Sequence, residues 1–417
     1  MSPPEPGRLR DELWQAPRPH GETLLDRSVG PLELFYDLVV VVLVAQAAHH
    51  LARNLTAAGV GQFTVIFAII WIAWFNGTLH HELHGREDLR ARNSFLAQIL
   101  LLVPLGAFVP EAGRANGQAF AIDAAVLFAF LALLWWQAGR LDSAEFAATS
   151  RRYVWATLGL AVGLAGSAVV PADARLAVWA ILAPAYLVAV VVLFAAAPPT
   201  VAASLTVTTA LTERFGAFVI IVLGETVTGV VTGLTPSPTR PLTVAVGLTA
   251  TLVSFGSWWT YFDFAGHRPL RGSRPAALVW MLGHLPITAA IAAMGAAMGA
   301  LVRHAAAPRT SAPVAWILCG AAITTLVTTA AQISCLEAWH RDRALYGPVA
   351  IACLVASPFP MAIGLFRPAP IGLAASLVFV FAGPWTFAVI RRAQTRYLTA
   401  PEADGPCSDG SRTAPIG

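Results

Sequence analysis

Apolar residues fall in runs of about twenty along this chain, separated by short polar stretches rich in Arg, Pro and Gly. A helix rises about 1.5 Å per residue, so one such run crosses a hydrocarbon core about 30 Å thick. Twelve runs are legible, near 33–52, 61–81, 94–111, 117–138, 152–171, 174–197, 214–234, 241–264, 276–302, 312–338, 345–366 and 369–390. Backbone polar groups find no water in lipid, which leaves the helix as the structure for runs of this length. The pattern predicts an all-α membrane protein with about twelve transmembrane helices. Residues 1–28 and 393–417 are polar and rich in Pro, Gly and Ser, and are expected to be disordered flanks. The opening stretch has no apolar core of a cleavable signal, so the first run is expected to direct its own insertion.

Polar residues inside the runs carry the remaining information. The first run holds Glu33-Leu-Phe-Tyr-Asp37-Leu-Val, and the seventh holds Glu213-Arg-Phe-Gly-Ala-Phe-Val-Ile-Ile-Val-Leu-Gly-Glu225. Glu33 aligns with Glu213, Phe35 with Phe215, Val39 with Val219 and Leu43 with Leu223. A second match, Trp71-Ile-Ala-Trp-Phe-Asn76 with Trp258-Trp-Thr-Tyr-Phe-Asp263, puts runs 1 and 2 in register with runs 7 and 8. Two six-helix repeats are therefore expected, at 29–197 and 213–392, joined by a linker at 198–212. Runs 1 and 7 cross the membrane in the same direction, so the repeats are parallel and related by an axis along the membrane normal.

An ionisable side chain at membrane depth costs on the order of 3 kcal/mol, so such residues face a partner, a cavity or a pathway. Glu33 and Asp37 are four apart and share one helix face. The helix dipole accounts for Glu33 as a terminal acid, but Asp37 is followed at once by an unbroken apolar run. Glu225 lies twelve residues into its run, about 18 Å deep. It must be protonated, since desolvation raises a carboxyl pKa, or paired with Arg, His or a cation. His284, in the ninth run ahead of Leu285-Pro286, is the expected partner and a candidate proton relay. The candidate ion or solute path is thus Glu33, Asp37, Asn76, Glu213, Glu225, Asp263 and His284, with purely structural hydrogen bonding open for each. His80-His81-Glu82-Leu83-His84 sets His80 and His84 on one face, but it lacks the HExxH spacing. It also runs into the charged Gly85-Arg-Glu-Asp88, so a solvated loop is expected there and a His80–His84 metal pair is the lesser alternative.

Only 12% of residues are charged, where a soluble domain has about a quarter. All 27 basic residues are Arg. With the N-terminus cytoplasmic, 20 of them fall on the cytoplasmic side, so the positive-inside rule places both termini there, in the cell membrane. The net charge of +4 follows from that asymmetry, and its expected counterpart is anionic lipid headgroups at the inner leaflet rather than nucleic acid. The four cysteines form no disulfide framework. No phosphate-binding loop, Ser-His-Asp set or Cys/His zinc spacing is present, which argues against an ATP-driven pump. No cofactor is expected, and an oligomer stays open.

With these motifs in hand, the chain resembles the low temperature requirement protein A (LtrA) family of multi-pass membrane proteins. Glu33-Leu-Phe-Tyr-Asp37-Leu-Val resembles its first-helix signature, and the segment from Glu213 to Glu225 its most distinctive motif. Trp259-x-Tyr-Phe-Asp263 and Gly283-His284-Leu-Pro286 match its following helices. The likeness runs over about 28–395 and implies the multi-pass architecture and a role in growth at low temperature. Glu33-x-Phe35-x-Asp37 is also similar to the Phe-Ser-Asp motif of a cation-channel family built from six-span repeats, with Tyr36 in place of Ser. Three functional readings follow. One is a carrier or channel for a small solute or ion, coupled to protons; the second is an intramembrane enzyme on a lipid or isoprenoid, with buried carboxylates as acid and base; the third is a membrane scaffold with no substrate.

Overall fold

Local signals at the helix starts match those that set a helix in motion elsewhere. Pro31 stands at the first position of α1 (Pro31–Arg53), and the Glu33 carboxylate accepts the Gly30 N–H at 2.9 Å. The Thr56 hydroxyl caps α2 (Ala57–His84) through Gly59 N–H, and the Asp88 carboxylate caps α3 (Leu89–Phe108) through Ala91 N–H. There follow α4 (Gly117–Gly139), α5 (Ala144–Ser167), α6 (Ala172–Ala195), α7 (Thr209–Leu234), α8 (Pro241–Phe264), α9 (Arg274–Arg303), α10 (Ala312–Ile333), α11 (Arg343–Ala356), α12 (Phe359–Phe366) and α13 (Pro370–Thr399). A computed structural model of the chain describes residues 14–22, 28–86, 88–203, 207–235, 240–266 and 268–399.

Eleven of these segments are long and apolar enough to cross a membrane, with α11 and α12 counted together as one. The expected fifth crossing, α5, matches them in length, but Glu145, Arg151 and Arg152 in its first turns lower its apolar content. Large apolar side chains cover the outside, among them Val162, Ile181, Phe366 and Phe379, each at least 65% exposed. A soluble monomer does not present apolar surface on that scale. The chain is an all-helical multi-pass membrane protein.

In the first six helices α1 packs on α2 and α3, α3 on α4, α4 on α5, α5 on α6, and α2 on α4 and α6. In the remainder α7 packs on α8 and α9, α9 on α10, α10 on α11, α11 on α13, and α8 on α10 and α13. The two groups meet where α7 and α9 pack on α1 and α2, and α9 also reaches α6. α9 is the most buried of the apolar helices and contributes to both hydrophobic cores. Its close fit to α7 comes from glycine: a Cβ at Gly229 would collide with the Gly295 carbonyl oxygen, and one at Gly233 would press on Val302 and Gly299.

Three boundaries differ from those read in the sequence. Residues 14–22, expected to be disordered, lie packed on the bundle with Arg18 buried. α2 continues to His84, so the His80–His84 stretch is a helix end and not a solvated loop. The helical path of α13 runs to Thr399, past the expected start of the tail at 393. The linker region holds a short helix, Pro199–Ala203, and the first turn of α7.

Candidate functional site

α1, α2 and α7 bring together a buried charge cluster near the membrane face on which residues 14–22 lie. Asp37 is fully buried. Its carboxylate accepts hydrogen bonds from Trp74 Nε1 at 2.7 Å, from Arg214 Nη2 at 3.0 Å and from Arg214 Nε at 3.2 Å. Arg214 Nη1 stands 3.8 Å from Glu33, whose carboxylate also meets His81 Nε2 at 2.9 Å. The guanidinium also lies over the rings of Tyr36 and Phe95. Helix periodicity sets these positions: Glu33 and Asp37 are one turn apart on α1, and Trp74 and His81 two turns apart on α2. Trp74 stacks on Phe218 at 4.1 Å and meets Phe215 edge-on, so aromatic rings cover the cluster on the side facing the membrane interior.

Next to the cluster, Gly77 lets Tyr36 and Gln98 approach the α2 backbone. Tyr36 Oη, Gln98 Oε1 and His80 Nε2 are buried there without a hydrogen-bond partner. A cleft of about 30 Å³, room for a water or two, is lined by Gly77, His80, His81, His84 and Gln98 and roofed by Gln15, Ala16 and Pro17.

The other expected path residues do not join this cluster. Asn76 is buried in a separate knot, where Tyr153 and Tyr186 donate to its Oδ1 at 2.7 and 3.0 Å. His284 shares a 2.7 Å hydrogen bond between Nε2 and the Tyr261 hydroxyl, and its Nδ1 is 2.7 Å from the Trp280 carbonyl. It does not pair with Glu225, contrary to expectation. Gly295 rests against the Glu225 backbone, which puts Glu225 level with a residue eleven positions, or about 16 Å, beyond His284 on α9. The partner of Glu225 is His49 at 3.9 Å, and both side chains keep some exposure. Asp263 accepts from Trp259 Nε1 at 2.7 Å and is half-buried, as is Glu213.

Arg214 is a site residue absent from the sequence candidates, because in the sequence its charge reads only as a topology signal. The repeat alignment contained the clue: it sets Arg214 opposite Leu34, within one turn of the depth of Asp37. A second omission lies at the end of α2. His84, whose ring lies 5.4 Å from that of His80, stands with His20 and Asp142. His20 Nδ1 is 2.9 Å from Asp142, whose side chain is fully buried. Burial alone would raise the Asp142 carboxyl, but hydrogen bonds from His20 and Ser150 and the charge of His20 outweigh it and bring the group down to about 2.

No curated protein and no solved structure matches the chain. The model of one family, the bacterial low temperature requirement A protein (LtrA), matches residues 28–382. That span includes the whole charge cluster, and the chain belongs to the LtrA family.

Proposed function

We propose that this protein moves a small solute or ion across the membrane, coupled to a proton, and that the Glu33–Asp37–Arg214–His81 cluster is broken and remade in each cycle. The observation that carries the reading is Arg214, buried at the start of α7 and held by two carboxylates of α1. A buried ion pair adds little stability over well-packed apolar residues, so its presence favours a functional reading. Two carboxylates against one guanidinium leave one negative charge. A proton shared by Glu33 and His81 cancels it, and the adjoining cleft gives that proton a route to water.

A second acid–base pair, Glu225 with His49, lies about 16 Å further along α7. Between the pairs Val40, Val44, Phe218, Val219 and Val222 are buried, so the path between α1 and α7 is closed in this conformation. Passage requires the two helix groups to part there. The shared neighbour pattern of α1–α6 and α7–α13 supports reading 29–197 and 213–392 as parallel repeats that move as units. The Arg distribution supports both termini on the cytoplasmic side of a bacterial inner membrane, against anionic headgroups. The family's name supports a role in growth at low temperature. The alternative of a lipid-directed enzyme has less support. A groove of about 760 Å³ between α2, α9 and α10 is lined by residues such as Val60, Phe63, Pro286 and Trp316, with no acid or base among its lining residues.

The test begins with metabolite and ion profiling of a deletion strain, followed by proton-linked flux of the implicated solutes in proteoliposomes. Asp37→Asn should lower that flux at least tenfold at matched protein level. Unchanged flux in the variant, or no proton-linked flux by the native protein, would overturn the reading.

A further inference from the structure

We propose that His20, His84 and Asp142 form a binding site for one zinc(II) or similar divalent transition-metal ion, which clips residues 14–22 onto the end of α2. The three residues come from three separate segments: the N-terminal strap, the last turn of α2 and the α4–α5 connection. Their ligand atoms lie within 4.8 Å of one another. Ligands of a tetrahedral zinc stand about 3.4 Å apart at bond lengths of about 2.0–2.2 Å, so side-chain shifts of about 1 Å close the site. Two imidazoles and one carboxylate select zinc or a related metal over magnesium or calcium, which take oxygen ligands.

The second observation is the state of His84. Its Nδ1 is 2.7 Å from the Arg18 carbonyl and donates to it, which leaves Nε2 with its lone pair. That nitrogen is buried and has no partner. A buried imidazole nitrogen without a hydrogen bond is costly, and a metal removes the cost. The surroundings of the other two ligands are also built for the role. Asp142 holds the His20 N–H through its Oδ1 at 3.1 Å and accepts from Ser150, and the His20 ring stacks on Phe146. On metal binding His20 Nδ1 gives up the hydrogen it shares with Asp142 and offers its lone pair instead. Three protein ligands leave one position of a tetrahedral zinc for water.

The full-length protein, purified in detergent without a histidine tag, is titrated with zinc(II) by calorimetry and with cobalt(II) by visible absorption. The expected result is one equivalent bound, with the intense d–d bands of a four-coordinate cobalt centre. His20→Ala and Asp142→Asn should each weaken binding at least tenfold, and His80→Ala should leave it unchanged. His20 is on the strap, so its replacement keeps the bundle folded even if His84→Ala does not, and size-exclusion elution checks this. Absence of stoichiometric binding would reduce the triad to a hydrogen-bonded knot and overturn the proposal. Undiminished binding in His20→Ala, or loss in His80→Ala, would place the metal elsewhere and overturn it as well.

Discussion

Arg214 has no neighbour that can replace Asp37. Its guanidinium is 3% exposed and bonds both oxygens of that carboxylate, while Glu33 stands further off. Removing one member of a buried pair leaves the other uncompensated and costs about 3–5 kcal/mol, whereas removing both together costs far less. Arg214→Gln should therefore lower the thermal midpoint in detergent strongly, and the double variant Arg214→Gln/Asp37→Asn should recover most of the loss. Additive losses in the double variant would show that the pair is not coupled. At this scale the acids were legible in the sequence and their partners were not. Glu33 and Asp37 betray themselves by interrupting an apolar run, whatever surrounds them. What they pair with depends on which face of α7 turns toward α1, and on the relative heights of α7 and α9. Those quantities come from helix packing, and they separate Glu225 from His284 by about three turns.

Between α7 and α9 the contact is backbone on backbone, made possible by Gly229, Gly233, Gly295 and Gly299. The spacing of small residues announces such a contact in the sequence, though not which helices make it. Gly229→Ala puts a methyl against the Gly295 carbonyl, where no flexible side chain can yield. The helices must separate, at about 1–3 kcal/mol. Gly224 sits on the same helix with open space at its Cβ position, so Gly224→Ala should be neutral or stabilising by up to about 1 kcal/mol. Thermal midpoints of the two variants decide the matter, and equal effects would mean the stripe is not a packing seam. The helices themselves were legible because apolar length alone determines a crossing. The end of α2 was not: His80, His81, Glu82 and His84 look like loop residues until something covers them.

Across the molecule, that cover is the strap of residues 14–22, which ties together ends of several helices. Arg18 Nε and Nη2 donate to the carbonyls of Gly85 and Glu82 at 2.6 Å, and Nη1 to Glu22 at 3.0 Å. The Gly85 and Glu82 carbonyls lie at the end of α2, where a helix leaves its last carbonyls without intrahelical partners. The strap's Gln15 N–H reaches Asp88 at the start of α3, and His20 reaches Asp142. Thr208, at the start of α7, donates to Glu82 and fastens the second helix group to the same place. Composition could not reveal this, since a polar, Pro-rich stretch looks disordered and becomes ordered here through bonds to distant residues. Hydrogen bonds from a charged donor contribute about 1.5–3 kcal/mol each, so Arg18→Ala should release the strap while the apolar bundle stays folded. Hydrogen exchange should then rise at residues 14–22 and 80–86 and stay unchanged along α9. Because Gln15, Ala16 and Pro17 roof the cleft beside His81, the same variant should open that cleft to water. Faster proton-linked flux in Arg18→Ala would make the strap a brake on the cluster beneath it, and unaltered exchange at 80–86 would refute the capping role of Arg18.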